Sequence, residues 1–300
     1  MNPFAEPANR ARAQSLEMSF GIYLLSLATI IAGILDLVWR DFDPAHQPFG
    51  GLTYHLPGRA AFACIAGIWL IFAGSATLWP RTARLGAIAT AAIYLVFALL
   101  AMPHFYPMLH KYGFHLTLFL GLVNQVFLQL MVVAGCLALH AALAPVASSW
   151  VGKSRIIARC SMGVCGILTG IGHLDNTQSI VSMIPRWMPL DASLWVVISG
   201  IGFILAGAAI LTGILDLLAA RLLVLMFFLF QVILVPIFLD HPHLHQSWGG
   251  TAFNLAAAGS VCIYAAAFGW TKDSENVGSV LICLFGLAIK LPQAQTALRF

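Results

Sequence analysis

Residues 241–250 read HPHLHQSWGG, so His241, His243 and His245 fall within five positions, directly after a long apolar run and with no Lys or Arg nearby. Imidazole nitrogen suits Zn, Cu, Ni or Fe, and a side chain that titrates near about pH 6.5 suits proton transfer. In an extended loop the side chains alternate, so His241 and His245 point alike. Together with His173 and Asp175 at the same level they form a candidate metal or proton site. The competing reading is a polar loop whose hydrogen bonds are satisfied locally. Haem is disfavoured, because axial ligation needs paired donors at matched depth and these histidines stand at the ends of apolar runs.

The elements that carry these residues are membrane helices. The chain is 60% hydrophobic and 9% charged, against about 25% charge in a soluble domain. A bilayer core of about 30 Å needs roughly 20 apolar residues per helix. Eight segments qualify, over 19–39, 61–79, 84–103, 115–140, 156–175, 192–214, 217–239 and 249–270. Arg159 lies near the start of the fifth and is expected to snorkel toward the headgroups. A ninth stretch, VGSVLICLFGLAIKL (277–291), is short for a span and reads either as a short helix or as an interfacial segment.

Residues 1–18 form a polar segment with Arg10 and Arg12 and no A-x-A site, which predicts a retained first helix. With that segment inside, short inner loops hold nine Lys and Arg and outer loops four. This asymmetry predicts a cytoplasmic N-terminus in a bacterial plasma (inner) membrane. Nine of the ten histidines then fall at outer ends: His46, His55, His104, His110, His115, His173, His241, His243 and His245. No basic cluster suited to nucleic acid is present, and the partner implied by composition is the lipid bilayer.

Polar groups inside a membrane mark function or bind helices together. Asp36 lies at the outer end of the first helix. Asn124, Gln125 and Gln129 lie in the fourth, Gln231 in the seventh and Asn254 in the eighth. Gln125 and Gln129 are expected to share a face through their i,i+4 spacing. These five amides are candidate pocket-lining groups. Pro103 and Pro236 are expected to end their helices. Trp39, Trp79, Trp187, Trp195 and Trp248 fit an interfacial belt. All six cysteines lie in apolar segments without C-x-x-C spacing and read as buried small residues. Nucleophile motifs, phosphate-binding loops and paired carboxylates are absent.

An internal repeat is visible. IAGIWLIFAGSATL (65–78) matches ISGIGFILAGAAIL (198–211) at an offset of 133, placing Gly67 on Gly200, Gly74 on Gly207, Pro103 on Pro236 and His110 on His243. At an offset of 130 His115 falls on His245 and Asn124 on Asn254; at 137 Asp36 falls on His173. Four helices per half return the chain to its starting side, so the halves are parallel. The expected fold is all-α, with about eight transmembrane helices arranged as two parallel four-helix bundles. The segments are 1–18, a first repeat over 19–143, a linker at 144–155, a second repeat over 156–270, and a tail at 271–300 with the possible short membrane helix.

The second half resembles the DoxX family of small four-helix membrane proteins over 156–270. The residues that carry the resemblance are Gly172-His173 at a helix end, the loop MIPRWMP (183–189) with Pro185, Arg186, Trp187 and Pro189, and Ser199-Gly200 opening the next glycine-containing helix. The family usually has an acidic residue shortly after that Ser-Gly; here Phe203 stands in the neighbourhood. The resemblance implies an accessory or quinone-linked component of a membrane oxidoreductase, partnered by other subunits. His173, Asp175, His241, His243, His245, Asp36, His110 and His115 would then form an outer-face site. Quinone is the cofactor class that an apolar slot with polar donors fits first, and a transition metal comes second. The alternatives are a non-catalytic scaffold subunit and a small-solute transporter. Arg186 is the one cation of its loop and suits an anionic ligand or a lipid headgroup.

Overall fold

The computed structural model describes residues 5–44, 47, 57–144 and 150–268. The segment 277–291, the tail, Cys283, His46 and His55 lie outside them. The described residues form helices and no strand. They are α1 (Ala5–Trp39), α2 (Arg59–Leu78), α3 (Ala83–Ala101), α4 (Phe105–Tyr112), α5 (Leu116–Ala142), α6 (Trp150–Asp175), α7 (Thr177–Val181), α8 (Ala192–Thr212), α9 (Asp216–Asp240) and α10 (His245–Phe268). All except α4 and α7 are long and apolar enough to cross a membrane, eight in total. Large apolar side chains such as Phe72, Leu205 and Leu225 point outward, which in lipid is the favourable direction. The chain is an integral membrane protein by this architecture.

Closeness between helices depends on glycine. At the α1–α2 crossing, a Cβ on Gly67 would stand 2.7 Å from the Gly33 carbonyl oxygen, and one on Gly74 would stand 2.8 Å from that of Ser26. At the α6–α8 crossing a Cβ on Gly207 would stand 2.5 Å from the Gly163 oxygen, and one on Gly200 would stand 3.2 Å from that of Gly170. Each pair of backbones is therefore in direct contact over about two turns. Without a hydrophobic drive between helices in lipid, such close packing is a main source of their association.

The expected division into two four-helix bundles takes a different form. Each spanning helix packs on the next, and α10 returns to pack on α1, so the eight form one closed ring. Inside it α5 and α10 meet, with Ser260 filling the space a side chain at Gly135 would need. The physical reason is the small-residue run of α10, Ala256–Ala257–Ala258–Gly259, which lets Gly259 lie against the backbone of Gly21 and Leu25. The α1–α10 contact then runs from Gln14, whose side-chain amide donates to the Ala266 carbonyl (2.8 Å), to Trp39, stacked on His245.

Other expectations are corrected in the same way. Helix α1 continues the expected span of 19–39 back to Ala5: Ala, Arg, Gln, Leu and Glu, which dominate residues 8–18, are good helix formers, and Glu17 accepts two hydrogen bonds from Arg221 (2.9 and 3.1 Å). Arg159 does not snorkel outward. It is buried and reaches Asp216 (3.4 Å) beneath Gly213, whose φ of 73° ends α8. Pro103 falls in a 3-10 turn after α3, as expected of a helix terminator. Pro236, in contrast, lies inside α9, a position that neighbouring groups make tolerable in membrane helices. Gln129 is 1% exposed while Gln125 is exposed: four residues advance a helix by roughly 40° past a full turn, enough here to carry the side chain out of the α5 wall. Of the described cysteines, Cys136, Cys165 and Cys262 are buried, Cys64 and Cys160 half-buried, and none is in a disulfide.

The crossings give a direct prediction. Gly67→Val and Gly207→Val are each expected to lower the thermal midpoint in detergent by the equivalent of about 1–3 kcal/mol. Gly172→Ala, whose added methyl meets nothing within 4 Å, is expected to leave it unchanged. Equal midpoints for all three proteins would remove the glycine contacts as the basis of the packing.

Candidate functional site

Three residues past each glycine crossing stands an ionisable residue: Asp36 after Gly33 on α1, and His173 after Gly170 on α6. The crossings hold both near the same end of the bundle, and the two surroundings differ.

Asp36 is fully buried (0% exposed). The chain leaves α1, turns at Asp43, whose carbonyl accepts the Gln47 amide (2.9 Å), and thereby brings Gln47 Nε2 to both Asp36 carboxylate oxygens (3.1 and 3.4 Å). Asp43 is buried too, and its carboxylate lies against Gly249 of α10, at a spot that any Cβ would occupy. One turn away on α10, His245 stacks on Trp39 with ring centroids 4.7 Å apart and planes 5° from parallel. Asp41 pairs instead with Arg59 (2.5 Å). The chamber is rich in acceptors: no Lys or Arg pairs with Asp36 among the described residues, and Gln47 Oε1 and His245 Nε2 are buried without a partner.

His173 is half-buried in an aromatic box. Its ring lies 5.2 Å from that of Phe203 on α8 and 6.0 Å from that of Phe230 on α9, stacked at 11° on the latter. Phe203 also packs on Phe227 (5.8 Å). Nδ1 lies 2.9 Å from the Thr169 carbonyl oxygen. A carbonyl only accepts, so Nδ1 carries the proton and a neutral ring presents Nε2 as a lone pair. Nε2 has no partner among the described residues. Beneath it Thr169 Oγ1 donates to Asn124 Oδ1 of α5 (3.3 Å). Two of the sequence candidates thus find places here, His173 and Asn124; Gln231 of α9 has its side-chain amide atoms buried and unpartnered. Asn254 of α10 is half-buried.

The remaining candidates are not brought together. His241, Pro242 and His243 form a turn, closed by the Leu244 amide on the His241 carbonyl (3.1 Å), not an extended strand. His241 and His243 are exposed, whereas His245 is the first residue of α10 and faces α1. Helix formation at residue 245 rotates that side chain away from the other two. Asp175 is exposed at the end of α6. His110 lies on α4 beside Tyr106 (5.9 Å), and His115 is exposed at the start of α5. Among the described residues no group of three or more His, Cys, Asp or Glu could hold a metal ion. The loop residues Pro185, Arg186 and Trp187 line an open cleft with His241, and the Pro189 carbonyl accepts from Trp195 Nε1 (2.6 Å). Gln47 was missed in the sequence because it stands in no motif, and Trp39 was read as a belt residue and not as a partner of His245; only the turn after α1 and the return of α10 bring them to the chamber.

The stacked, unpartnered His245 makes a prediction. His245→Phe keeps the ring on Trp39 and removes a buried unsatisfied nitrogen, which costs about 1–3 kcal/mol, so the thermal midpoint is expected to hold or rise. His245→Ala loses the ring pair and is expected to lower stability by about 1 kcal/mol or more. A lower midpoint for His245→Phe than for His245→Ala would contradict the placement.

Among proteins of known families, a family model described as a domain of unknown function (DUF8561) matches residues 162–262, a stretch from mid-α6 into α10. No curated protein and no solved structure matches the chain.

Proposed function

We propose that this protein is a DoxX-like tandem-repeat membrane protein that binds a quinol at the His173 box and serves a membrane oxidoreductase as an accessory, quinone-linked component on the histidine-rich side. The tandem reading is supported by the two glycine crossings: Gly33, Gly67, Gly74 and Ile71 stand in the same relations as Gly170, Gly200, Gly207 and Ile204. In the proposed repeat Asp36 and His173 are counterparts that have diverged, one toward acid and one toward imidazole.

The observation that carries the quinol reading is His173 itself. Its ring is held flat against Phe230, its Nδ1 is fixed on the Thr169 carbonyl, and its Nε2 is left as an acceptor beside an apolar aromatic surface. A quinol hydroxyl donates to such a nitrogen, and its ring matches the Phe203–Phe230 surface. The donor set therefore fits the ligand. Quinol would supply two electrons and two protons on oxidation; His173 Nε2 would take up one proton, the second would leave to water at the helix end, and a partner subunit with a redox centre would receive both electrons. Thr169 and Asn124 keep His173 in place, and Phe203 and Phe227 exclude water.

A second reading, small-solute transport, draws on the Asp36 chamber alone, where unpartnered acceptors without a cation suit a cationic solute. Uptake of such a solute into proteoliposomes, lost in Asp36→Asn, would favour it over quinol binding.

His173→Phe is expected to reduce binding of a short-chain ubiquinol to the purified chain by about tenfold, corresponding to one lost hydrogen bond to a polar ligand group, while leaving the thermal midpoint unchanged. The readout is quinol fluorescence on titration, with co-purified quinone measured by mass spectrometry on the same samples. Unaltered ubiquinol affinity in the variant removes His173 from the proposal.

A further inference from the structure

The MIPRWMP loop and the end of α9 face each other across an open cleft of about 760 Å³, apart from both chambers. The loop is held by successive turns: the amides of Met183, Ile184 and Met188 bond to the carbonyls of Ile180, Val181 and Pro185 (3.0, 3.1 and 3.0 Å). It is anchored below by the Trp195 indole, and by Asp191, whose carboxylate caps α8 on the Ser193 amide (2.7 Å). Hydrogen bonds from the Ser193 side chain and then its amide hold the Asp191 carboxyl below its ordinary range.

The wall carries one fixed positive charge, Arg186, and one fixed negative charge, Asp240. Neither is in an ion pair or a hydrogen bond with another described residue. Met183, Trp187 and Met188 make up much of the apolar remainder. Asp240 is also the last residue of α9, and a helix C-terminus bears a negative partial charge that favours a cation. The carboxylate and the helix end therefore point to the same pole. His241, next to Asp240, adds a further acceptor. The cleft lies where α8 begins and α9 ends, at the level at which the spans leave the apolar layer.

We propose that this cleft binds the headgroup of a zwitterionic phospholipid with a primary ammonium group, the phosphate on Arg186 and the ammonium on Asp240 at the end of α9. Arg is suited to a phosphate by its planar set of donors. A primary ammonium donates three hydrogen bonds, matching a carboxylate, a helix end and an imidazole. A quaternary ammonium makes none and is recognised by an aromatic cage, of which the cleft has one wall, Trp187. The Met and Trp surfaces receive the glycerol and upper acyl carbons.

The test is native mass spectrometry of the full detergent-purified chain titrated with phosphatidylethanolamine, phosphatidylglycerol and phosphatidylcholine of identical acyl chains. Phosphatidylethanolamine is expected to bind most tightly. Arg186→Gln and Asp240→Asn are each expected to weaken it about tenfold, the scale of a lost charge-assisted contact. Asp175→Asn, an exposed acid at the same end, and His173→Phe are expected to leave it unchanged. Equal binding of phosphatidylcholine overturns the ammonium assignment. Phosphatidylglycerol binding as tight as phosphatidylethanolamine, or unaltered binding in both cleft variants, overturns the site. Soluble phosphoethanolamine binding as tightly as the lipid overturns the lipid source. Should Arg186→Gln fail to give a monodisperse protein, the isosteric Asp240→Asn decides alone.

Discussion

Backbone contact at the two glycine crossings is the constraint on which the rest of the structure depends. Gly33 on Gly67 and Gly170 on Gly200 bring pairs of helices to a distance that no side chain permits. Each crossing fixes the rotation of its helix, and three residues further along that rotation decides where Asp36 and His173 face. Asp36 meets a turn that brings Gln47 onto its carboxylate. His173 meets the phenylalanines of α8 and α9. A wider crossing would leave both groups facing lipid, where ionisable side chains are costly.

The same economy explains why the body is one ring. Small residues along α10 allow it to lie against α1 over most of its length and against α5 at Gly135. The helix that would close a separate second bundle instead packs on α1 and α5 and forms a wall of the Asp36 chamber. Polar contacts reinforce that wall at its ends, Gln14 with the Ala266 carbonyl at one and Trp39 with His245 at the other.

Much of this was legible in the sequence and some was not, for identifiable reasons. The eight spans follow from apolar length, a requirement the bilayer sets without reference to other helices. The glycines aligned by the repeat, Gly67 with Gly200 and Gly74 with Gly207, lie on the faces that pack closely, and Asp36 and His173 stood out as ionisable groups. The histidine run at 241–245 misled, because residue 245 starts a helix and turns away from its neighbours. Arg159 misled because its partner, Asp216, is 57 residues distant. Gln47 lay in a loop with no periodicity to read, and the pairing of Glu17 with Arg221 spans 204 residues. Local rules state what a helix is; they do not state which distant side chain meets it.

The two chambers make opposite demands on a ligand, and the proposal assigns the quinol to the aromatic one. Photolabelling with an azido-quinone, followed by peptide mapping of the labelled chain, separates them directly. Label on peptides of α6, α8 or α9 that is suppressed by excess ubiquinol is the expected result, since His173, Phe203 and Phe230 lie there. Label confined to α1–α3, or label that excess ubiquinol leaves unchanged, would contradict the assignment of the His173 box.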